Sequence, residues 1–235
     1  MTEKILILDF GSQYTQLIAR TVREANVYCE IVPYNNPISY EPGLKGIILG
    51  GSPFSVNEEK ALIVDIKAMA DKLPVLGICY GAQLTAKLFG GQVGKSDKRE
   101  YGRAIFKRDK EDILLENVSA QSQVWMSHSD TIKELPDGFE LLGTTDSIPV
   151  AAFKRKENGH CPLYGLQFHP EVYHSAEGKT IIKNFLVNIC GCTQEWTPAH
   201  FITDTVESLK KQIGNRKVIM ALSGGVDSTV AATLV

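Results

Sequence analysis

Pro74-Val75-Leu76-Gly77-Ile78-Cys79-Tyr80-Gly81-Ala82-Gln83 is the stretch whose reading decides the fold. An apolar run ends in Gly77-Ile78-Cys79-Tyr80-Gly81, and an amphipathic segment, 82–89, follows. That order describes a buried strand turning sharply into a helix, with Cys79 where other hydrolases carry the serine of a nucleophile elbow. The residue at such a turn is held in a strained backbone conformation. Glycines on either side, here Gly77 and Gly81, remove Cβ atoms that would collide. The turn would set the sulfur at the sheet edge and at a helix N-terminus, where the dipole and free N–H groups favour a thiolate. By itself the pattern also suits a small buried hydrophobe at a strand end, so the remaining chain has to supply a base, an orienting group and oxyanion donors.

Upstream of the turn, 5–8 reads as a buried strand ended by Asp9-Phe10-Gly11-Ser12, with Ser12 suited to cap a helix. In that helix Leu17, Ile18, Thr21, Val22 and Ala25 recur at helical spacing. A second strand is expected over 27–32, and Pro33, Pro37 and Pro42 make the next connection a loop. A third strand, 46–49, ends in Gly50-Gly51-Ser52-Pro53; a helix is expected over 58–72 and the fourth strand over 75–78. Apolar strands alternating with helices indicate an α/β fold, a doubly wound and mostly parallel sheet with helices on both faces. Sites in such folds lie at the C-terminal strand edges, where both Gly50-Gly51 and Cys79 fall.

Beyond Gly91 the texture changes. Short strands are expected over 104–107, 124–126, 140–142, 150–153 and 163–168, a small antiparallel extension of the sheet. A helix over 178–190, with Ile181, Ile182, Phe185, Leu186 and Ile189 on one side, closes a first domain spanning 1–191. Residues 192–200 read as a linker. The remainder, 201–235, holds an amphipathic segment (202–213), a buried strand (218–222) and a Gly-Ser loop opening a helix. Those pieces cannot bury a core of their own, so they read as the truncated start of a second domain.

The chain has 235 residues, 43% of them hydrophobic and 22% charged, enough to build a core. Its net charge of -2 offers nothing to nucleic acid or an anionic membrane. The five cysteines leave one unpaired in any full disulfide scheme and include no C-x-x-C pair, which suits reduced thiols and speaks against a zinc site; no metal is expected. No signal-peptide pattern and no membrane-length apolar run is present, so a cytoplasmic location is expected.

Among five histidines, His169 ends the expected strand 163–168 and is followed by Pro170-Glu171. A histidine at that edge could take the thiol proton and return it to a leaving amine, and a carboxylate two residues on could fix its tautomer. The same three residues also suit an ordinary histidine and exposed glutamate at a strand end. Oxyanion donors would come from the N–H of Tyr80 and from Gly51 in the Gly-Gly loop, which otherwise reads as a turn before Pro53.

Asp9-Phe10-Gly11-Ser12-Gln13-Tyr14, Gly50-Gly51, Gly77 to Gln83, Trp125-Met126-Ser127-His128 and His169-Pro170-Glu171 together resemble the motif set of the class I glutamine amidotransferases, in particular the amidotransferase domains of the glutamine-hydrolysing GMP synthetase family. The resemblance covers 1 to about 190, in order. It implies that Cys79, His169 and Glu171 form a triad that hydrolyses glutamine to glutamate and ammonia through a glutamyl thioester, with no cofactor. It implies glutamine contacts from Gln83 and from Ser127, His128 and Asp130. Spacing alone reads Gln83 as a surface residue and leaves His128 open as a packed structural histidine. Ser129 stands where the family usually has Gly, and Ser52 intervenes before Pro53.

The tail adds Trp196-Thr197-Pro198 and Ser223-Gly224-Gly225-Val226-Asp227-Ser228, with Thr229 after it, which resemble the opening of an ATP-pyrophosphatase domain. Such a loop turns backbone N–H groups toward a phosphate at a helix start. The complete enzymes of that family use Mg-ATP to adenylate XMP and ammonia to displace AMP, giving GMP; a homodimer is the assembly the resemblance allows for them. The alternative function is a glutamine-binding or interaction module with little turnover in the absence of the synthetase domain.

Overall fold

The computed structural model describes residues 3–156 and 159–235; Met1 and Thr2, the start of the expected first domain, lie outside them. The chain divides into two compact units, one running to Gln194 and the other from Glu195 to Val235.

The first unit is built on one nine-stranded sheet, ordered β2-β1-β3-β4-β9-β8-β7-β5-β6. Strands β1 (Lys4–Asp9), β2 (Tyr28–Pro33), β3 (Leu44–Leu49), β4 (Val75–Ile78) and β9 (Leu163–Leu166) are parallel. Their alternation explains the unbroken apolar runs. Ile5, Ile7, Ile48, Leu76 and Leu166 enter the core on one side, and Leu6, Leu8, Ile47, Leu49, Val75 and Leu163 enter a second core on the other. Helix α1 (Thr15–Glu24) buries Ile18, Ala19 and Val22 against the first core. Helix α3 (Tyr80–Leu88) supplies Tyr80, Ala82, Leu84 and Ala86 to the second.

The sheet continues antiparallel through β8 (Ala152–Arg155), β7 (Phe139–Thr145), β5 (Gln92–Arg108) and β6 (Gln121–Glu134). This part is larger than the sequence suggests, because β5 runs for 17 residues and β6 for 14. Polar residues alternate with buried ones along β6, which masks a half-buried strand in an apolar count.

Several local expectations are corrected. Ser12 does not cap α1: Tyr14 holds the N-cap position, and the Ser12 hydroxyl accepts from the Tyr14 N–H at 3.1 Å. The helix expected over 58–72 shrinks to α2 (Ile66–Ala70), capped by the Asp65 carboxylate, which accepts from the Ala68 N–H at 3.0 Å. The Tyr80 hydroxyl accepts from the Leu62 N–H at 2.8 Å and donates to the Leu62 carbonyl at 3.0 Å, taking both groups a helix would need there. Helix α4 (Gly178–Asn184) passes into a single wider π turn, Phe185–Ile189.

In the second unit Thr197 caps α5 (Pro198–Ile213), its hydroxyl accepting from the His200 N–H at 3.2 Å, and α6 (Val226–Leu234) follows. The expected buried strand 218–222 is not a strand and Ile219 is fully exposed; among the described residues nothing pairs with it, and a lone strand leaves its backbone groups unsatisfied. The stretch 192–200 is divided. Cys192 is buried in the first unit, where the Thr193 N–H donates to the Glu3 carboxylate at 2.7 Å, and Pro198 already opens α5. Among the described residues no helix is long and apolar enough to cross a membrane.

The tightest constraint lies at the turn between β4 and α3. A Cβ on Gly81 would stand 2.5 Å from the Leu49 carbonyl oxygen, and one on Gly77 would stand 2.6 Å from the Gly81 carbonyl carbon. Both obstacles are backbone and cannot rotate away. Gly81→Ala should therefore cost at least about 3 kcal/mol in chemical denaturation. Gly94→Ala meets only the flexible Lys133 side chain at 3.4 Å and should cost less than about 1 kcal/mol. Equal effects would show that the close approach at Gly81 is not limiting.

Candidate active site

Strand β4 delivers the chain to Cys79, which takes φ 53° and ψ -101° and stands at the N-cap of α3. A non-glycine residue there costs roughly 1–3 kcal/mol and persists only where its neighbours dictate it. They do: the Cys79 N–H donates to the Leu166 carbonyl at 2.7 Å, and the Gly81 N–H donates to the Gly50 carbonyl at 3.2 Å. The sulfur is nearly buried, 3.8 Å from the Ser127 carbonyl oxygen.

His169 leaves the end of β9 and is pinned through its backbone. Its N–H donates to the Trp125 carbonyl at 2.9 Å, and its carbonyl accepts from the Ser175 hydroxyl at 2.6 Å. The Ser175 hydroxyl in turn accepts from the Trp125 N–H at 3.0 Å. The ring Nδ1 lies 2.8 Å from Glu171 Oε1, with the two side chains only 3% and 0% exposed. Tyr14 packs edge-on against the ring, centroids 4.7 Å apart. Burial pushes the imidazolium toward neutrality. The Glu171 carboxylate and then the Cys79 sulfur more than offset it and hold the His169 pKa well above the ordinary 6.5.

Around these groups lies a cavity of about 470 Å³, within the range of small-molecule sites. Cys79, Tyr80, Gln83, Gly51, Ser127, His128, Asp130 and His169 all line it. A Cβ on Gly51 would stand 3.2 Å from the Ser12 hydroxyl and 3.5 Å from His169 Cε1, so the loop after β3 passes close to the ring. The N–H of Tyr80, first residue of α3, is among the donors a helix cannot use internally.

Ser127, His128 and Asp130 project from β6. His128 is buried; that burial, followed by the neighbouring charge on His169, pushes its pKa down to about 4. Asp130 is buried and its carboxylate accepts a hydrogen bond from the Ser55 hydroxyl. Gln83 is not the surface residue its spacing suggests. It is buried, and its Nε2 donates to the Asp130 carbonyl at 2.8 Å, so half of the amide already ties α3 to β6.

The loop Ser223–Thr229 belongs to the second unit. Gly224 takes φ 80°, and α6 begins at Val226. Its hydroxyls bond within the loop: Ser228 donates to the Gly225 carbonyl at 3.0 Å, and Thr229 does so at 2.9 Å. Sequence reasoning missed Tyr14 and Ser55. Tyr14 belongs to the 9–14 motif, which gives it no role of its own, and Ser55 carries no local signal, its partner lying 75 residues away.

The family Glutamine amidotransferase class-I matches residues 6–189, most of the chain. The chain belongs to the class I glutamine amidotransferases. This amidotransferase is 56% identical to a glutamine-hydrolyzing GMP synthase of Cytophaga hutchinsonii, over 100% of the chain and 46% of the relative. It is 54% identical to the enzyme of that description in Phocaeicola vulgatus, over 100% and 45%. The chain thus spans about half the length of both curated relatives. Among solved structures it is similar to a Thermoplasma acidophilum protein described as one subunit of a GMP synthase, at 32% identity and a TM-score of 0.73 over 81% of this chain and 95% of that one.

The two histidines should titrate on opposite sides of their ordinary value. By NMR of the ring protons, His169 should keep its proton well above pH 6.5 and His128 should lose its own near pH 4. Glu171→Gln should bring the His169 midpoint down; an unchanged midpoint would remove Glu171 as the group that holds the charge. The signs in stability differ too. The raised His169 value contributes stabilisation that is complete below about 6.5 and fades as pH climbs through the folded value. The lowered His128 value costs stability as pH falls from about 6.5 to about 4, and His128→Asn should flatten that part of the profile.

Proposed function

We propose that the chain hydrolyses the side-chain amide of glutamine to glutamate and ammonia, with Cys79 as nucleophile, His169 as acid and base, and Glu171 as the group that orients and charges the ring. The Cys79 thiolate attacks the amide carbon, and the carbonyl oxygen becomes an oxyanion held by the N–H groups of Tyr80 and Gly51. The C–N bond breaks as the His169 imidazolium gives its proton to the departing nitrogen, releasing ammonia and leaving a glutamyl thioester on Cys79. Water then gives a proton to His169 and its oxygen attacks the thioester; the C–S bond breaks, the thiolate is restored, and the new γ-carboxyl group loses its proton to solvent to give glutamate.

The observation that carries this reading is the buried His169–Glu171 contact of 2.8 Å in the cavity that also holds Cys79 on its strained turn. A charged imidazole that buried has little structural purpose, and it is the form needed to protonate an amine leaving group. In the same reading the Asp130 carboxylate takes the α-ammonium of glutamine, while Ser127 and the Gln83 side-chain Oε1 bind its polar ends. His128, neutral at pH 7, supplies a hydrogen-bonding group without a second positive charge.

The ammonia is proposed to serve amination of XMP to GMP in a longer polypeptide of the kind the relatives have, where Mg-ATP activates XMP. The Ser223–Thr229 loop would be that second activity's first phosphate contact. Its glycines and the start of α6 support this assignment.

Glutamine-dependent ammonia release tests the reading directly. Cys79→Ala and His169→Ala should each lower it by about a thousandfold or more, non-additively, since the two act as a unit. Ammonia release retained by Cys79→Ala would overturn the assignment.

A further inference from the structure

Ser55 lies on the loop that begins at Gly51 and leads away from β3. Its hydroxyl donates to Asp130 Oδ2 across a separation of 75 residues. The same oxygen accepts from the Asn57 N–H at 3.0 Å, so one of its lone pairs is occupied, and its proton is directed at the carboxylate, which can only accept. The loop itself is anchored on two sides. The Asn57 side-chain amide donates to the Val93 carbonyl at 2.9 Å, and the Lys87 ammonium donates to the Val56 carbonyl. Asp130 is 5% exposed and lines the cavity with Cys79. Its backbone is fixed by Gln83, but a carboxylate rotates easily about its last torsion unless something holds it.

We propose that Ser55 is a positioning residue for amino-acid recognition: its hydroxyl holds the Asp130 carboxylate in the orientation that receives the α-ammonium of the substrate. The loop that carries Gly51 and the strand that carries Asp130 then act as one clamp, gripping the reacting amide at one end and the ammonium at the other. This rests on the assignment of Asp130 in the proposed function. Ser55 itself touches no reacting atom. It acts by sparing the substrate the work of ordering Asp130, the usual benefit of preorganisation.

The test compares glutamine with glutaramate, which has the same side-chain amide and chain-end carboxylate but no amino group. Each is titrated as a protectant of Cys79 against iodoacetamide, read on the Cys79 peptide by mass spectrometry, so that no turnover is required. In the unaltered chain glutamine should protect at lower concentration than glutaramate. In Ser55→Ala the concentration of glutamine needed should rise about tenfold, the loss expected for a hydrogen bond to a charged group. Protection by glutaramate and the unprotected alkylation rate should stay the same, and Ser55→Thr should restore the preference. If Ser55→Ala weakens both ligands alike, Ser55 only shapes the loop and the proposal fails. If Asp130→Asn abolishes the preference for glutamine but Ser55→Ala leaves it intact, the proposal alone fails. If Asp130→Asn leaves the preference intact, the Asp130 assignment falls and takes the proposal with it.

Discussion

The site depends on one close approach, the backbone of Gly81 against the end of β3. Gly81 donates to the Gly50 carbonyl at 3.2 Å, and the space a Cβ would need is filled by Leu49. That contact joins the start of α3 to the Gly50-Gly51 loop that follows β3. It therefore sets the distance between the sulfur at the turn and the glycine loop beside it. The positive φ at Cys79 follows: with Cys79 N–H bonded to Leu166 and Gly81 N–H bonded to Gly50, the residues between have few conformations left. Strain at Cys79 is the consequence of two neighbouring strands, β3 and β9, pulling on one turn.

His169 is held by a different logic. Its backbone is tied to Trp125 on β6, and so is the Ser175 hydroxyl that grips its carbonyl. The antiparallel strands thereby fix the ring that faces a cysteine carried by the parallel ones. This gives the long β5–β6 pair a purpose beyond sheet size. It carries Ser127, His128 and Asp130 to the cavity on the same strand that orients His169. Loss of β6 packing would disturb several walls of the cavity at once.

Much of this was legible in the sequence because its carriers are local. Gly77-Ile78-Cys79-Tyr80-Gly81 encodes a turn within five residues, and His169-Pro170-Glu171 places a carboxylate within reach of a ring two positions away. Apolar runs at 5–8, 46–49 and 75–78 encode strands buried on both faces. What escaped depends on distant partners. The short α2 follows from the Tyr80 hydroxyl capturing Leu62, 18 residues upstream. The Ser55–Asp130 bond and the Tyr14 ring against His169 are products of the assembled sheet, invisible to periodicity. The 218–222 run failed for the reverse reason: its apolar pattern is that of a strand, but no neighbouring strand accompanies it in the described unit.

The two imidazoles in the cavity show how the fold limits its own charge. Coulombic cost at short range and low dielectric is large, so two buried cations in one small cavity cannot both persist without counter-charge. Glu171, with its side chain fully buried, spends one oxygen on His169 Nδ1. Asp130 is bound by Ser55, on the loop that follows β3. Protonation therefore goes to His169, while burial first and the field of that charge second keep His128 neutral. The positive charge is thus placed beside the sulfur, while the β6 wall that carries His128 and Asp130 stays free of a cation. Of the two carboxylates, Asp130 lines the cavity and is held by the Ser55 hydroxyl, while Glu171 is buried against the His169 ring, so the cavity presents a cation beside the sulfur and a carboxylate from β6.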